Sequence, residues 1–430
     1  MKQQLKRLIE TILFYEARIL LSRKKPKIIG VTGNVGKTSA KDAIYTVIHP
    51  EVSARKSEKS FNSDIGVPLT ILGLPNAWSS PIGWLINIVE GLAIALFARE
   101  YPSWLVLEMG VDRPGDMKRL ATLVRPDVVV LTRFPDVPVH VEYFKTPEAV
   151  IAEKMELVKA LKDGGTVVFN NDDENIKAAL ANVTCTSIGF GIKTASPYMA
   201  NSGTIMYHDG QPTGYQYAVT HGTERIMVQD MGSLGAHNAA TACAAFAVAG
   251  VLGIPLSRAV ASYLPHSTPP GRMRLIEGAN DTTIIDDTYN ASPLAVAEGL
   301  ESLGSVHGAK RRIAVIGDML ELGRYSIKEH EKIGRLVAQK TDALMTVGVR
   351  AKTIADSARE GGMKDTRIIE VQDADAAAQA LETLIKPGDV IYVKGSQGMR
   401  MERIVKHIMR EPERAPELLV RQDTVWKEKE

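Results

Sequence analysis

The sequence predicts an α/β protein of two open, mostly parallel sheets. A P-loop mononucleotide-binding domain carries a small antiparallel sheet, and a Rossmann-like domain follows it. Three observations carry this prediction. Short apolar, β-rich runs alternate with stretches of helical periodicity, at 27–31, 104–107, 128–131 and 167–169, then at 283–285, 313–316, 343–347, 367–371 and 390–393. The first run enters the Gly-rich turn Thr32-Gly33-Asn34-Val35-Gly36-Lys37-Thr38-Ser39, after which Ala43, Ile44, Val47 and Ile48 repeat at helical spacing. Between the two series stands Pro265-His266-Ser267-Thr268-Pro269-Pro270-Gly271, where prolines stop both helix and sheet.

In chain order, residues 1–26 read as an amphipathic helix. Leu5, Leu8, Ile9, Ile12, Leu13, Ala17, Leu20 and Leu21 make its stripe, flanked by Lys and Arg. The first domain then spans 27–265. Within it the apolar segment 82–97, with Trp84, Leu85, Ile86, Ile88 and Val89, contains Asn87 and Glu90 and is too short to cross a membrane. Both apolar segments read first as helices packed on the domain or as a dimer contact, and second as a peripheral membrane contact. Between 188 and 228 the polar-flanked runs 204–207, 215–219 and 225–228 predict the small antiparallel sheet, and the Ala-rich stretch 237–252 predicts a helix. The second domain spans 266–412. The charged tail 413–430 is expected to be poorly ordered.

Bulk properties narrow the function. The chain of 430 residues, 45 % hydrophobic and 24 % charged, is long enough for two or three domains with real cores. A net charge of +2, with no basic aromatic patch, argues against a nucleic-acid partner. Cys185 and Cys243 make no metal-ligand pattern and suit a reducing, cytoplasmic setting. No secretory signal is visible.

The chemistry concentrates where strands end. In the Gly-rich turn, glycines let backbone N–H groups wrap a triphosphate, Lys37 reaches the terminal phosphates, and Thr38 can ligate Mg²⁺. Val31 stands where the common pattern has a further glycine. In Phe61-Asn62-Ser63-Asp64-Ile65-Gly66-Val67-Pro68, the residues Asn62, Ser63 and Asp64 hold a substrate or simply make an Asx turn. Glu108 closes an apolar strand, the position of a Mg²⁺ ligand or of a solvated strand end. His140 alone reads as structural, and Lys154 as a solvated helical lysine. Asn238 opens the Ala-rich helix with an amide able to read an adenine edge. Arg272 follows the linker, where domain closure can bring it onto phosphates. Asp286-Asp287-Thr288-Tyr289-Asn290, Gly317-Asp318-Met319-Leu320-Glu321-Leu322-Gly323 and Lys394-Gly395-Ser396 each follow a strand of the second series and should share one sheet edge.

Taken in order, these patches resemble the Mur ligase family over roughly residues 27–409, most strongly its branch that adds D-alanyl-D-alanine to UDP-N-acetylmuramoyl-tripeptide. The resemblance implies an ATP- and Mg²⁺-dependent amide ligase working through an acyl phosphate on a cell-wall precursor peptide. It assigns Thr32, Gly33, Asn34, Val35, Gly36, Lys37, Thr38 and Ser39 to the ATP phosphates, with Thr38 on the first Mg²⁺. Glu108 and His140 go to the second Mg²⁺, and Lys154 becomes carbamylated into a carboxylate-like ligand. Asn238 meets adenine, Arg272 the phosphates and Asp287 the ribose. Lys394 faces the reaction centre, and Asn62, Ser63, Asp64, Tyr289 and Asn290 lie toward substrate. The branch has an N-terminal domain that grips the UDP group, whereas about 26 residues precede Lys27 here. The acceptor is therefore expected to be held differently, to be lipid-linked, or to be another carboxylate, as in polyglutamate- or cyanophycin-type relatives. A nucleotide-binding partner protein without ligase activity is the remaining alternative.

Overall fold

The computed structural model describes residues 2–58, 61–201, 203–423 and 426. It begins with α1 (Lys2–Lys24), β1 (Lys27–Thr32), α2 (Lys37–Ile48), β2 (Ala54–Lys56), α3 (Gly66–Leu72), α4 (Pro81–Phe97), β3 (Trp104–Glu108) and α5 (Asp116–Val124). Next come β4 (Val128–Leu131), α6 (Pro147–Lys159), β5 (Thr166–Asn170), α7 (Glu174–Leu180), β6 (Thr186–Gly191) and β7 (Tyr198–Ala200). The domain ends with β8 (Thr204–His208), β9 (Gln211–His221), β10 (Glu224–Met231), α8 (Ala236–Val251) and α9 (Leu256–Tyr263).

These strands form one ten-stranded sheet in the order β10-β9-β7-β6-β5-β4-β1-β3-β2, with β8 on β9. From β2 to β7 every pair is parallel. The expected small antiparallel sheet is not separate. Three-residue β7 pairs parallel with β6 and antiparallel with β9, so β8, β9 and β10 extend the main sheet. Residue pattern reports local geometry but not which strand lies alongside, which is why this join was invisible.

Strand alternation divides the core in two, because successive side chains point to opposite faces. Ile29, Val31, Val106, Val128, Val130 and Val168 face α2, α8 and α9. Ile28, Leu105, Leu107, Val129, Leu131 and Val167 face α1, α3, α5 and α6. Ala43, Ile44, Val47 and Ile48 are the buried stripe of α2, and the alanines of α8 let the two helices approach closely.

The second domain comprises β11 (Arg274–Gly278), β12 (Thr282–Asp286), α10 (Pro293–Gly304), β13 (Arg311–Gly317), α11 (Ser326–Lys340), β14 (Ala343–Val347), α12 (Lys352–Glu360), β15 (Ile368–Val371), α13 (Ala374–Leu384), β16 (Asp389–Lys394) and α14 (Glu402–Ile408). Its sheet runs β11-β12-β16-β13-β14-β15, parallel except for β11. The charged tail is better ordered than its composition suggested, as far as residue 423. Ala415 and Leu419 are buried in the second core. Arg421 donates to the carbonyls of Thr288 (3.1 Å) and Tyr289 (2.7 Å). Charge content marks solvation only where no buried anchor exists, and here three anchors outweigh it. Residues 424, 425 and 427–430 of that tail lie outside the described residues.

Candidate active site

The Gly-rich turn follows β1 at the carboxyl edge of the first sheet, where parallel sheets present ligands. Gly33 (φ 150°) lies so close to Thr132 that a Cβ would meet its hydroxyl at 2.0 Å. Gly36 (φ 84°) caps α2 without a side-chain hydrogen bond, so the helix's first N–H groups face an anion without competition. The loop is braced from β4: the Thr132 hydroxyl reaches the Val35 carbonyl at 2.7 Å, and the Asn34 N–H donates to the Arg133 carbonyl at 2.8 Å. Both polar atoms of the Asn34 side chain are buried and unpartnered, as expected of a cradle shaped for a ligand. Val31 departs from the common pattern because it is an interior strand residue, fully buried and paired with Glu108.

Around this loop the fold gathers charge. Lys37 Nζ is 3.5 Å from the Asn34 carbonyl. Burial pushes its ammonium below the usual lysine range, Glu108 pulls it back up, and Arg272 pushes it down again. Lys154, on α6, is buried and driven well below the lysine range, first by burial and then by Lys37. Glu108 is buried at the end of β3. Its Oε1 accepts from Asn62 Nδ2 at 2.9 Å, and its Oε2 has no partner. Arg272 crosses from the second domain, with Nη2 3.3 Å from Thr38 Oγ1 and its guanidinium 4.1 Å from the Tyr289 ring centroid. Asp112, which sequence reasoning missed, acts electrostatically on both Lys37 and Lys154. It follows β3 in an irregular loop, and only its place four residues after Glu108 could have pointed to it.

The other residues singled out in the sequence are placed as follows. His140 (φ 68°) joins the domains, with Nδ1 2.8 Å from Glu321 and Nε2 3.6 Å from Asp112. Nδ1 is thus paired with Glu321, while Nε2 stands beyond hydrogen-bond distance of Asp112. Asn238 is buried and gives its amide N–H groups to Ser233 Oγ (3.1 Å) and the Leu234 carbonyl (3.3 Å), which leaves its oxygen as the atom for any ligand. Asp287 is paired with Lys394 at 2.6 Å and accepts from the Tyr392 hydroxyl at 3.2 Å. Lys394 is buried and also donates to the Asn290 carbonyl at 2.9 Å, so in this arrangement it pins the loop after β12. Asn290 Oδ1 accepts from Ala291 N and Gln397 N. Ser63 makes a turn to Gly66 N, and Asp64 pairs with Arg119 at 3.2 Å.

Among the described residues no group of three or more His, Cys, Asp or Glu could hold a metal ion. The site still suits Mg²⁺ bound with nucleotide, because Mg²⁺ takes one or two protein ligands and completes its shell with phosphate and water. Thr38 Oγ1 and the unpartnered Glu108 Oε2 are donors of that kind.

Comparison with known proteins agrees with this geometry. Residues 87–249 match the Mur ligase middle domain, and residues 271–397 match the Mur ligase, glutamate ligase domain. The chain is 28 % identical over 397 residues to the UDP-N-acetylmuramoyl-tripeptide–D-alanyl-D-alanine ligase of Bacillus subtilis, covering 92 % of this chain and 79 % of that one. It is 26 % identical over 393 residues to the ligase of the same name from Escherichia coli, covering 88 % and 76 %. Among solved structures it is similar to MurF ligase from Thermotoga maritima in complex with ADP, with TM-score 0.75, 26 % identity, and coverage of 94 % and 84 %. MurF from Acinetobacter baumannii, at TM-score 0.73, 23 % identity, and coverage of 92 % and 79 %, shares the fold.

Proposed function

The chain belongs to the Mur ligase family, and we propose that it is an ATP-dependent ligase joining D-alanyl-D-alanine, or a similar amine, to the peptide carboxylate of UDP-N-acetylmuramoyl-tripeptide. One observation carries the proposal: an open phosphate loop ringed by Lys37, Glu108, Lys154 and Arg272, with Arg272 supplied by the other domain.

The chemistry follows from that ring. The substrate carboxylate attacks the γ-phosphorus of ATP, the bond to the bridging oxygen breaks, and ADP leaves an acyl phosphate. Two anions must approach each other, so cations have to be in place first. Lys37 and the α2 N-terminus hold the β- and γ-phosphates, and Arg272 adds charge from across the cleft. Mg²⁺, when bound through Thr38 and Glu108, supplies further neutralisation of the phosphate oxygens. The amine then adds to the acyl carbon, and phosphate leaves with the C–O electron pair. An acyl phosphate hydrolyses in water, so the contacts that close the two domains protect it.

Lys154 has a specific part. A carbamate forms only from an uncharged amine, which adds to CO₂ and releases a proton. Burial and Lys37 favour the uncharged amine, and the carbamate then carries negative charge beside Lys37. His140 acts through Glu321 as a clasp between the second domain and the loop.

The test is to incubate the purified chain with ATP, Mg²⁺, UDP-N-acetylmuramoyl-tripeptide and D-alanyl-D-alanine, and to seek the joined product by mass spectrometry. A product that disappears in Lys37→Ala supports the reading. Bound nucleotide with no product would overturn it for this acceptor.

A further inference from the structure

Helix α4 buries little of its apolar surface. Its fully buried residues are small or polar, Asn87, Gly91 and Ala95, spaced by four, and Trp84, Ile88 and Ile94 lie half-buried against the core beside them. Asn87 Nδ2 donates to the Pro75 carbonyl at 2.8 Å, and a Cβ on Gly91 would stand 2.3 Å from Glu16 of α1. Its other large apolar residues face outward. Ile82, Leu85, Ile86, Val89, Leu92 and Leu96 recur at three and four, each between 42 % and 72 % exposed, and Phe97 ends the stripe at 76 %. A helix packed for the protein core alone would carry polar residues on that outer face.

Helix α1 runs alongside in the same direction. Glu16 meets Gly91, the Arg23 guanidinium donates to the Ala95 carbonyl, and Lys24 Nζ donates to the Arg99 carbonyl at 2.7 Å. It too exposes an apolar stripe, Leu5, Leu8, Tyr15 and Ile19. The charges decide what covers this surface. Every exposed charge described on α1 is positive, at Lys6, Arg7, Arg18 and Arg23, while its two acids, Glu10 and Glu16, are turned inward. Lys25, Lys27 and Arg99 continue the exposed positive rim, against Glu90 and Glu100. Trp78, at the edge near the start of α4, is 42 % exposed.

We propose that the α1–α4 face is a docking surface for an anionic lipid bilayer, with the apolar stripes seated among the acyl chains and the Lys/Arg rim on the headgroups. Contiguous exposed apolar surface of this kind marks an interaction site. Apolar helix faces flanked by cations, with Trp at the margin, match an anionic interface. A second copy fits worse, because a two-fold contact through this face would set the α1 cations against each other. No helix among the described residues is long and apolar enough to cross a membrane, so contact would be at the surface. This inference goes beyond the reaction and does not depend on it.

The test is cosedimentation of the full chain with phosphatidylglycerol–phosphatidylcholine vesicles and with pure phosphatidylcholine vesicles. Expected are binding to the anionic vesicles that falls with salt, and a loss of about tenfold or more in both I82Q/L85Q/V89Q and K6E/R18E. Nucleotide binding and thermal unfolding should stay at the parent values in both variants. A second readout leaves both stripes intact: Trp fluorescence of the parent is quenched by brominated lipid, and less so in Trp78→Phe. The proposal is overturned if anionic vesicles do not bind the parent, or if the apolar variant binds as well as the parent. It is also overturned if sedimentation velocity shows a dimer that the apolar variant dissolves while vesicles are ignored.

Discussion

Lys154 is buried, and the half-buried Lys37 adds to the burial that drives it toward the uncharged form. In the proposed reaction a carbamate on Lys154 would turn that repulsion into attraction, and the triphosphate would be the partner of Lys37. Lys37→Ala should therefore lower kcat by about 10²- to 10³-fold, the usual loss when one preorganised charge partner is removed. Thermal unfolding in the same preparation should be unchanged, because Lys37 makes only a 3.5 Å contact without ligand. For Lys154, activity should fall in CO₂-free buffer and return with bicarbonate. ¹³C-NMR after ¹³CO₂ labelling should give a carbamate signal absent from Lys154→Ala; no labelled carbamate in the active enzyme would refute the assignment. At this scale the sequence showed which residues stand where a strand ends, as with Lys37, Thr38 and Glu108. It was silent on pairing. Nothing in the residue pattern says that Asp287 and Lys394 neutralise each other, or that His140 meets Glu321, because those distances arise only when separate elements converge.

Among the elements, α1 carries an unusual burden. Glu16 is buried against Gly91 with Oε2 unpartnered, and burial pushes its carboxyl up to about 7 from an ordinary 4.5. The unfolded chain ionises near the ordinary value while the folded chain resists. Stability is therefore unpenalised below 4.5 and declines as pH rises from there through about 7. Glu16→Gln should raise the Tm at about pH 8 and change it little at about pH 4.5, which a pH series of thermal melts would check. The tail is a second such element. Arg421 is buried, holds the carbonyls of Thr288 and Tyr289, and lies 3.6 Å from Glu402. Arg421→Ala should cost about 1–3 kcal/mol, read by denaturant unfolding, and should raise the KM for ATP by loosening the Tyr289 ring under Arg272. The strands of both parallel series were legible because apolar runs of that length, set between helical patterns, have few other solutions. The attachment of β8–β10 and the order of the tail were not, since both depend on lateral contacts that composition does not encode.

At the scale of the whole molecule, two sheets present their carboxyl edges to one cleft, joined by the proline-rich linker at 265–271. At the cleft the domains meet through Arg272 and Thr38, His140 and Glu321, and Arg133 and Glu298 at 3.2 Å, and outside it Leu234, Val137 and Ile205 of the first domain pack into the second core. Partly exposed pairs are worth about 0–1 kcal/mol each, so at the cleft itself phosphates bridging the loop and Arg272 should outweigh them. A nonhydrolysable ATP analogue should reduce the radius of gyration in solution scattering, and Arg272→Ala should abolish that change. The order of the two sheets was readable from the alternation and its interruption; the contacts between them were not. The central claim is that the chain activates a carboxylate with the γ-phosphate of ATP. The most direct measurement supplies UDP-N-acetylmuramoyl-tripeptide labelled with oxygen-18 in its terminal carboxylate, together with ATP and D-alanyl-D-alanine, and follows the label by mass spectrometry. The account predicts one labelled oxygen in the inorganic phosphate for each joined product. Product formed with unlabelled phosphate, or with AMP released in place of ADP, would contradict it.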